Sequence, residues 1–556
     1  MTLGALKPIA LIATLLALPA AAIPQNTPPQ KPVYTGNRVI SGVVLSAKTG
    51  LPLGDAEVSL TDVATNTLVA TLRTPESGQF LFPHLADGKY SLRGSHRGYI
   101  NAIFEEHAGY STAIVTGPGQ VTTSLKLTLP PQGVIFGTVS EDTGDPVPKS
   151  RVALYRVERS GIERTVRAGD TTTDNLGNYE FPNLSPGNYY LAVIAIPWYA
   201  ARPQPPGQPG NNAPRSPLDV AYPITYYAGV TDSSSATPIP VAAGERIPVN
   251  FAMHPVPAVR LFVQIPKSAG NHVISFPQVR QDVFGSTEMA SPSSAGYLDA
   301  PPGAAFATFE INGLAPGHYE VELGSNHGSS GRVASLDAAS ASESVDLTAV
   351  GQSLPDITGK LLMPASETGA LPKDLNIGLK PREGDSWSNA RVEPDGSFRL
   401  QAVRPGTYDV QVNSPGVNYA VTHLIAKGAK AAGSALTVAG DPAELSLAVA
   451  QSTTTVNGFA RLEGKPAPGV FVLLVPAHFT ADGQLPETDQ SDSDGSFTFF
   501  NVLPGNYTLI AIQEGWTLDW ARPEVLNSYL AKGQKVAIPP QVKEINLKDP
   551  IETQPK

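Results

Sequence analysis

The sequence predicts an all-β protein, a tandem series of immunoglobulin-like or transthyretin-like antiparallel β-sandwich domains, and three observations lead there. Apolar and polar residues alternate in short runs, the pattern of strands buried on one face. Turn residues punctuate those runs: 53 Pro and 51 Gly stand in a chain whose 41% apolar and 16% charged residues argue against disorder. The third observation is a repeat. An aromatic at k, an apolar residue at k+2, Leu or Val at k+5, Gly at k+8 and Tyr at k+10 recur at Phe80 to Tyr90, Tyr179 to Tyr189, Phe309 to Tyr319, Phe398 to Tyr408 and Phe497 to Tyr507. Each copy reads as a strand, a tight turn in which Gly supplies a backbone conformation other residues resist, and a second strand starting at the Tyr.

The elements follow in order. Residues 1–22 carry one Lys, an apolar run from Ile9 to Leu18 and the small residues Ala20, Ala21 and Ala22, so a secretory signal peptide is expected, followed by a linker over 23–38. The apolar run is about half of the ~20 residues a membrane span needs. No later stretch is long and apolar enough to span, so no transmembrane segment is expected once the signal is removed. The first sandwich is expected over 39–130, opening on "ISGVV" around Gly42 and closing on "LKLTL". The second, 131–256, opens on "IFGTV" around Gly137 and carries a Pro-rich insertion beginning "QPPGQPG". The third, 257–351, is divergent and opens on "VRLFVQI" without the Gly. The fourth, 352–449, opens on "ITGKL" around Gly359, and the fifth, 450–549, on "VNGFA" around Gly458. After three of these openings comes Gly-x-Pro, with Val and Leu eight and ten residues beyond the Gly: Gly50, Pro52, Val58, Leu60; Gly144, Pro146, Val152, Leu154; Gly464, Pro466, Val472, Leu474. A single helix is expected in "PEVLNSYLAK" at 523–532.

These two signatures, of the type GxPxxxAxVxL and DxxGxFxFxxLxPGxYxL, resemble the carboxypeptidase regulatory-like domain, a transthyretin-like fold within the wider carbohydrate-binding-like superfamily. The resemblance covers units one, two, four and five closely and the third more loosely. It implies the fold specifically and the function thinly, since in metallocarboxypeptidases this domain is the non-catalytic appendage and in bacteria it also occurs in strings on exported surface proteins.

Composition narrows the function further. The chain has no Cys, so neither disulfides nor a lipid-modified N-terminal Cys enter the account. Its net charge of −10, without a Lys/Arg cluster, disfavours nucleic acid and anionic lipid as partners. The nine His never fall in HExxH or HxxE spacing, and there is no GxSxG elbow or phosphate loop, so no catalytic residues, no metal and no cofactor are expected. "DQSDSDG" at 489–495 has the look of an Asp-rich calcium loop, but in that register Gln490 and Asn501 stand at ligand positions, and a hairpin turn explains the same residues.

The aromatic residues carry the binding expectation. "PWYAARP" at 197–203 and "GWTLDWARP" at 515–523 both place Trp nine residues after the repeat Tyr, then Ala-Arg-Pro and a long excursion. Aromatic faces beside polar loops hold sugar rings, which makes Trp198, Tyr199, Trp516 and Trp520 the candidate ligand-facing residues, with packing at the edge of a sandwich as the alternative. The expected function is a non-catalytic exported binding or scaffold protein of the cell envelope, periplasmic, cell-surface or secreted, with polysaccharide or envelope proteins as partners. The alternative is an accessory subunit or regulatory partner of a separate peptidase or other hydrolase.

Overall fold

The computed structural model describes residues 36–159, 161–200, 216–266, 276–298, 306–324, 331–348, 352–362, 371, 374–382, 384, 387–415, 417–450, 454–480, 483–539 and 542–556. The signal peptide expected over 1–22, the Ala-Arg-Pro at 201–203 and the start of the Pro-rich insertion lie outside them.

The chain is all-β, and five hydrophobic clusters follow one another along it, each enclosed between two layers of strands. In the first unit Arg38–Ser46 lies between Gln79–Leu85 and Leu125–Leu129, facing a second sheet of Thr67–Arg73, Glu57–Asp62, Gly88–Ser95 and Ala102–Ile103. The period-2 pattern sends Ile40 and Val44 inward against Val58, Leu60, Phe80 and Phe82, all buried. In the fourth unit the two layers join into one sheet, because the long strand Val417–Lys427 pairs with Gly406–Ser414 at its start and with Ala443–Ala450 along its length.

Most pairings are antiparallel, with one consistent exception: in every unit the opening strand pairs parallel with a closing one. Alternation alone cannot distinguish the two senses. The strand Gln352–Leu354, placed in the fourth unit by a boundary at 351, completes the third unit's sheet by pairing with Gly331–Ala338.

The two sequence signatures turn out to be one contact. Gly42 is the cross-strand partner of Phe80, Gly359 of Phe398 and Gly458 of Phe497, and a Cβ on these glycines would come within 2.7, 2.2 and 2.4 Å of the facing ring. The ring lies over bare backbone, so the first strand must carry Gly there. In the divergent third unit Val263 faces Phe309 instead.

All five repeat Tyr are buried, and each hydroxyl donates to the carbonyl four residues back: Tyr90 to Ala86 (3.2 Å), Tyr189 to Ser185 (2.7 Å), Tyr319 to Ala315 (2.6 Å), Tyr408 to Arg404 (2.8 Å) and Tyr507 to Leu503 (2.8 Å). The ring fills the core while its hydroxyl ties the turn, the geometry of a tyrosine corner. A second regularity was not visible in the repeat: the residue at k+4 is left-handed in all five copies, His84 (φ 61°), Asn183 (61°), Gly313 (79°), Ala402 (51°) and Asn501 (59°). It marks a β-bulge that turns the first strand into the connection.

The helix forms at Pro523–Leu530, with Pro at its first turn. It covers the outer face of the fifth unit's sheet, where Leu526 packs with Phe471, Leu473, Ile510 and Ile512. Among the described residues no helix is long and apolar enough to cross a membrane.

The units are not strung out end to end. Successive ones dock: Tyr155 and Arg151 of the second hold the buried Glu288 of the third at 2.8 and 2.7 Å, Arg404 of the fourth clamps Glu320 and Glu322 of the third at 2.5 and 2.6 Å, and Arg382 of the fourth donates to the Gly483 carbonyl of the fifth at 2.6 Å. The fifth then returns to contact the first and second, closing the series.

Candidate functional site

The closure is built from a loop of the first unit, 104–116, and the hairpin 487–495 of the fifth. Lys89 Nζ meets Asp492 Oδ2 at 2.6 Å, and the other carboxylate oxygen of Asp492 accepts the Ala113 N–H at 2.9 Å. Ser493 takes the Val115 N–H on its hydroxyl (2.8 Å) and gives its own N–H to the Ala113 carbonyl (3.0 Å). Gln490, fully buried, donates to the Glu105 carbonyl (2.7 Å) and to Thr112 (2.9 Å). The Asp-rich segment is therefore a hairpin that also binds another unit. Asp489 accepts from the Thr498 and Gln490 amides, and Asp494 from the Ser496 amide, so these carboxylates serve backbone N–H groups. Among the described residues no group of three His, Asp or Glu is placed to hold a metal ion.

Burial leaves these acids poorly solvated. It pushes the carboxyls of Glu487 and Asp489 up to about 7. Asp492 is raised as well, by burial, with the Lys89 ammonium pulling the other way.

Two of the four aromatic candidates belong to this junction. Trp516 stacks on His107 of the first unit, ring centroids 4.2 Å apart at 18°. Trp520 is only 6% exposed: it packs beside Phe471 and against Gly161 of the second unit, whose carbonyl accepts the Ala521 N–H at 3.0 Å. The sequence offered both as ligand-facing. The structure spends their apolar area on neighbouring units, so Trp520 has no face for a ligand and Trp516 has one face covered.

Trp198 and Tyr199 are different. Trp198 is 79% exposed and meets Tyr199 edge to face at 5.6 Å. Tyr199 is in turn hydrogen-bonded within a cluster with Tyr222 and Glu141, where Tyr222 donates to the Glu141 carboxylate. Burial and the adjacent carboxylate raise the phenols of Tyr199 and Tyr222. The pair is an aromatic corner held from beneath and open above.

A third aromatic place escaped the sequence reading. Trp387, 55% exposed, lines a cavity of about 1030 Å³ between the third and fourth units. It sits outside the repeat grammar, so no spacing pointed to it. The contacts of Lys89 and His107 escaped for a related reason, since their partners stand in the last unit.

Comparison with known proteins fits this architecture. Residues 39–130 and 134–211 match the profile of the carboxypeptidase regulatory-like domain, and residues 455–534 match that of the BOS complex subunit NOMO1-like, second beta sandwich domain. Among curated proteins, none matches the chain. Similar solved structures include the minor pilin GBS52 of Streptococcus agalactiae, at 14% identity and a TM-score of 0.20, covering 40% of this chain and 97% of the pilin. The shaft pilin SpaA of Lactobacillus rhamnosus GG is similar at 10% identity and a TM-score of 0.19, covering 40% of this chain and 98% of the pilin. The Bacillus anthracis TIE protein follows at 10% identity and a TM-score of 0.16, covering 74% of each chain. Superpositions this loose carry no functional meaning.

Proposed function

We propose that this chain, a repeat protein of carboxypeptidase regulatory-like and related β-sandwich domains, is a non-catalytic binding and scaffold protein of the cell envelope. In this reading it is exported through its first 22 residues and divided near residues 130, 256, 351 and 449. The observation that carries the reading is the exposed Trp198 beside Tyr199, a large aromatic face left in solvent and braced through Tyr222 and Glu141. An apolar ring so exposed contributes little to its own unit, and a saccharide ring stacked on it would recover that area at little entropic cost. In this reading Trp516 and Trp520 serve the contacts between units, Trp520 without a face left for a ligand and Trp516 with one face on His107.

A glycan array with the full chain tests this, with envelope polysaccharides and peptidoglycan among the probes. The expected result is a hit whose affinity falls about tenfold in Trp198→Ala, equivalent to ~1.4 kcal/mol. Binding untouched by that substitution, or no hit, would leave protein scaffolding as the remaining role.

A further inference from the structure

We propose that the Trp198 corner takes a saccharide with a free amine, the sugar ring on the Trp198 face and its ammonium group on the Glu141 carboxylate. This rests on the reading of that corner as a saccharide site and goes beyond it by naming the substituent it selects.

The carboxylate is placed from the core outward. The ring of Tyr222 packs in the second unit's hydrophobic cluster at 6% exposure, and its hydroxyl donates to Glu141 Oε1. Tyr199 joins the same hydrogen-bonded group and meets Trp198 edge to face, so its phenol ring links the exposed indole to the carboxylate. Glu141 is half-buried and keeps acceptor capacity beyond the tyrosine hydroxyls, since a carboxylate offers about four lone-pair sites. The fold does not demand an acid at this place. Counted from the opening Gly of each unit, the position of Glu141 is held by Ser46 in the first unit and Leu462 in the fifth.

Charge selects the substituent. The tyrosine hydroxyls orient Glu141 without cancelling its charge: burial and the adjacent carboxylate raise both phenols, which keeps them protonated and donating. Among the described residues neither Glu141 nor its neighbour Asp142 pairs with a Lys or Arg, and Asp142 meets only the His254 imidazole, at 2.6 Å. Trp198, Tyr199, Tyr222, Glu141, Asp142 and His254 thus bring two carboxylates together with no ammonium or guanidinium of the chain's own. An ammonium carried by the ligand supplies the missing charge and is attracted as well by the negative face of the indole. A sugar carboxylate is repelled, and an acetamido group finds no side-chain amide among these six residues.

Calorimetric titration of the full chain with the tetramer of glucosamine, at about pH 6 where a primary amine is charged, tests the proposal. The comparison probes are the fully N-acetylated tetramer, cellotetraose and tetralysine, the last because a chain of net charge −10 attracts any cation. The expected result is binding of the glucosamine tetramer at least tenfold tighter than of each comparison probe. Glu141→Gln should bring it down to the level of the N-acetylated tetramer while leaving the neutral tetramers unchanged, which also reports that the variant is folded. Asp142→Asn, at an exposed position, should reduce the preference in the same direction, and Trp198→Ala should weaken all three saccharides. Equal binding of the neutral tetramers would overturn the choice of an amine and keep the corner as a saccharide site. Tetralysine binding as tight as that of the glucosamine tetramer, or full preference retained in Glu141→Gln or in both acidic variants, would overturn it too. No binding of any saccharide would remove both this inference and the reading it rests on.

Discussion

At the scale of single residues, the five buried Tyr are the repeat's structural signature. Each joins core volume to a hydrogen bond four residues back, so truncation and hydroxyl removal should separate cleanly. Tyr507→Phe should cost ~1 kcal/mol for the lost hydrogen bond, and Tyr507→Ala ~3–5 kcal/mol for the emptied core. Denaturant unfolding of the two variants checks this, and equal losses in both would show that the ring contributes nothing. The Tyr was legible because its chemistry does not vary. The left-handed residue at k+4 was not, because His84, Asn183, Gly313, Ala402 and Asn501 share a backbone angle and no side-chain type. The Gly at 42, 359 and 458 could be seen, but its reason, the facing Phe ring, required the strand register.

At the scale of elements, the hairpin 487–495 carries two duties, turning the chain and binding the first unit. Its burial of Glu487 and Asp489, with carboxyls near pH 7, sets a pH dependence. Between about pH 4 and 7 the folded state holds protons that the unfolded chain has released, so stability contributed here falls as pH rises through that window. Asp492, raised as well and facing Lys89 and Asp494, adds in the same direction. Asp87, Asp174 and Asp395, whose carboxyls are lowered by hydrogen bonds, lose their contribution only at lower pH, outside the window. Thermal unfolding should therefore show the fifth unit melting higher at about pH 5 than at about pH 8, with a smaller difference in Asp489→Asn. A midpoint that rises steadily from pH 5 to 8 would contradict this. The sequence marked this hairpin as a turn, but burial by another unit is a property of the assembled fold and leaves no local pattern. The same holds for Trp516, which spacing offered as ligand-facing or as packing at a sandwich edge, and one face of which His107 covers.

At the scale of the whole molecule, five sandwiches are closed by contacts of modest size. The accessible surface of 30343 Å² exceeds the ~19,000 Å² of a single compact globule of this mass and is on the scale of the ~29,000 Å² of five separate bodies. Each unit thus keeps its own core, and the docking relies on a few specific groups: Glu288 between the second and third units, Arg404 between the third and fourth, and Lys89 with Asp492 between the first and fifth. Repeat spacing made the number and kind of cores legible. It carried no information on the path, because a string and a closed set share every local signal. Small-angle X-ray scattering of the full chain tests the closure directly. The closed arrangement predicts a radius of gyration of about 30 Å, somewhat above the ~24 Å of a single globule of this length, whereas a value of about 50 Å, that of five such bodies in line, would contradict it.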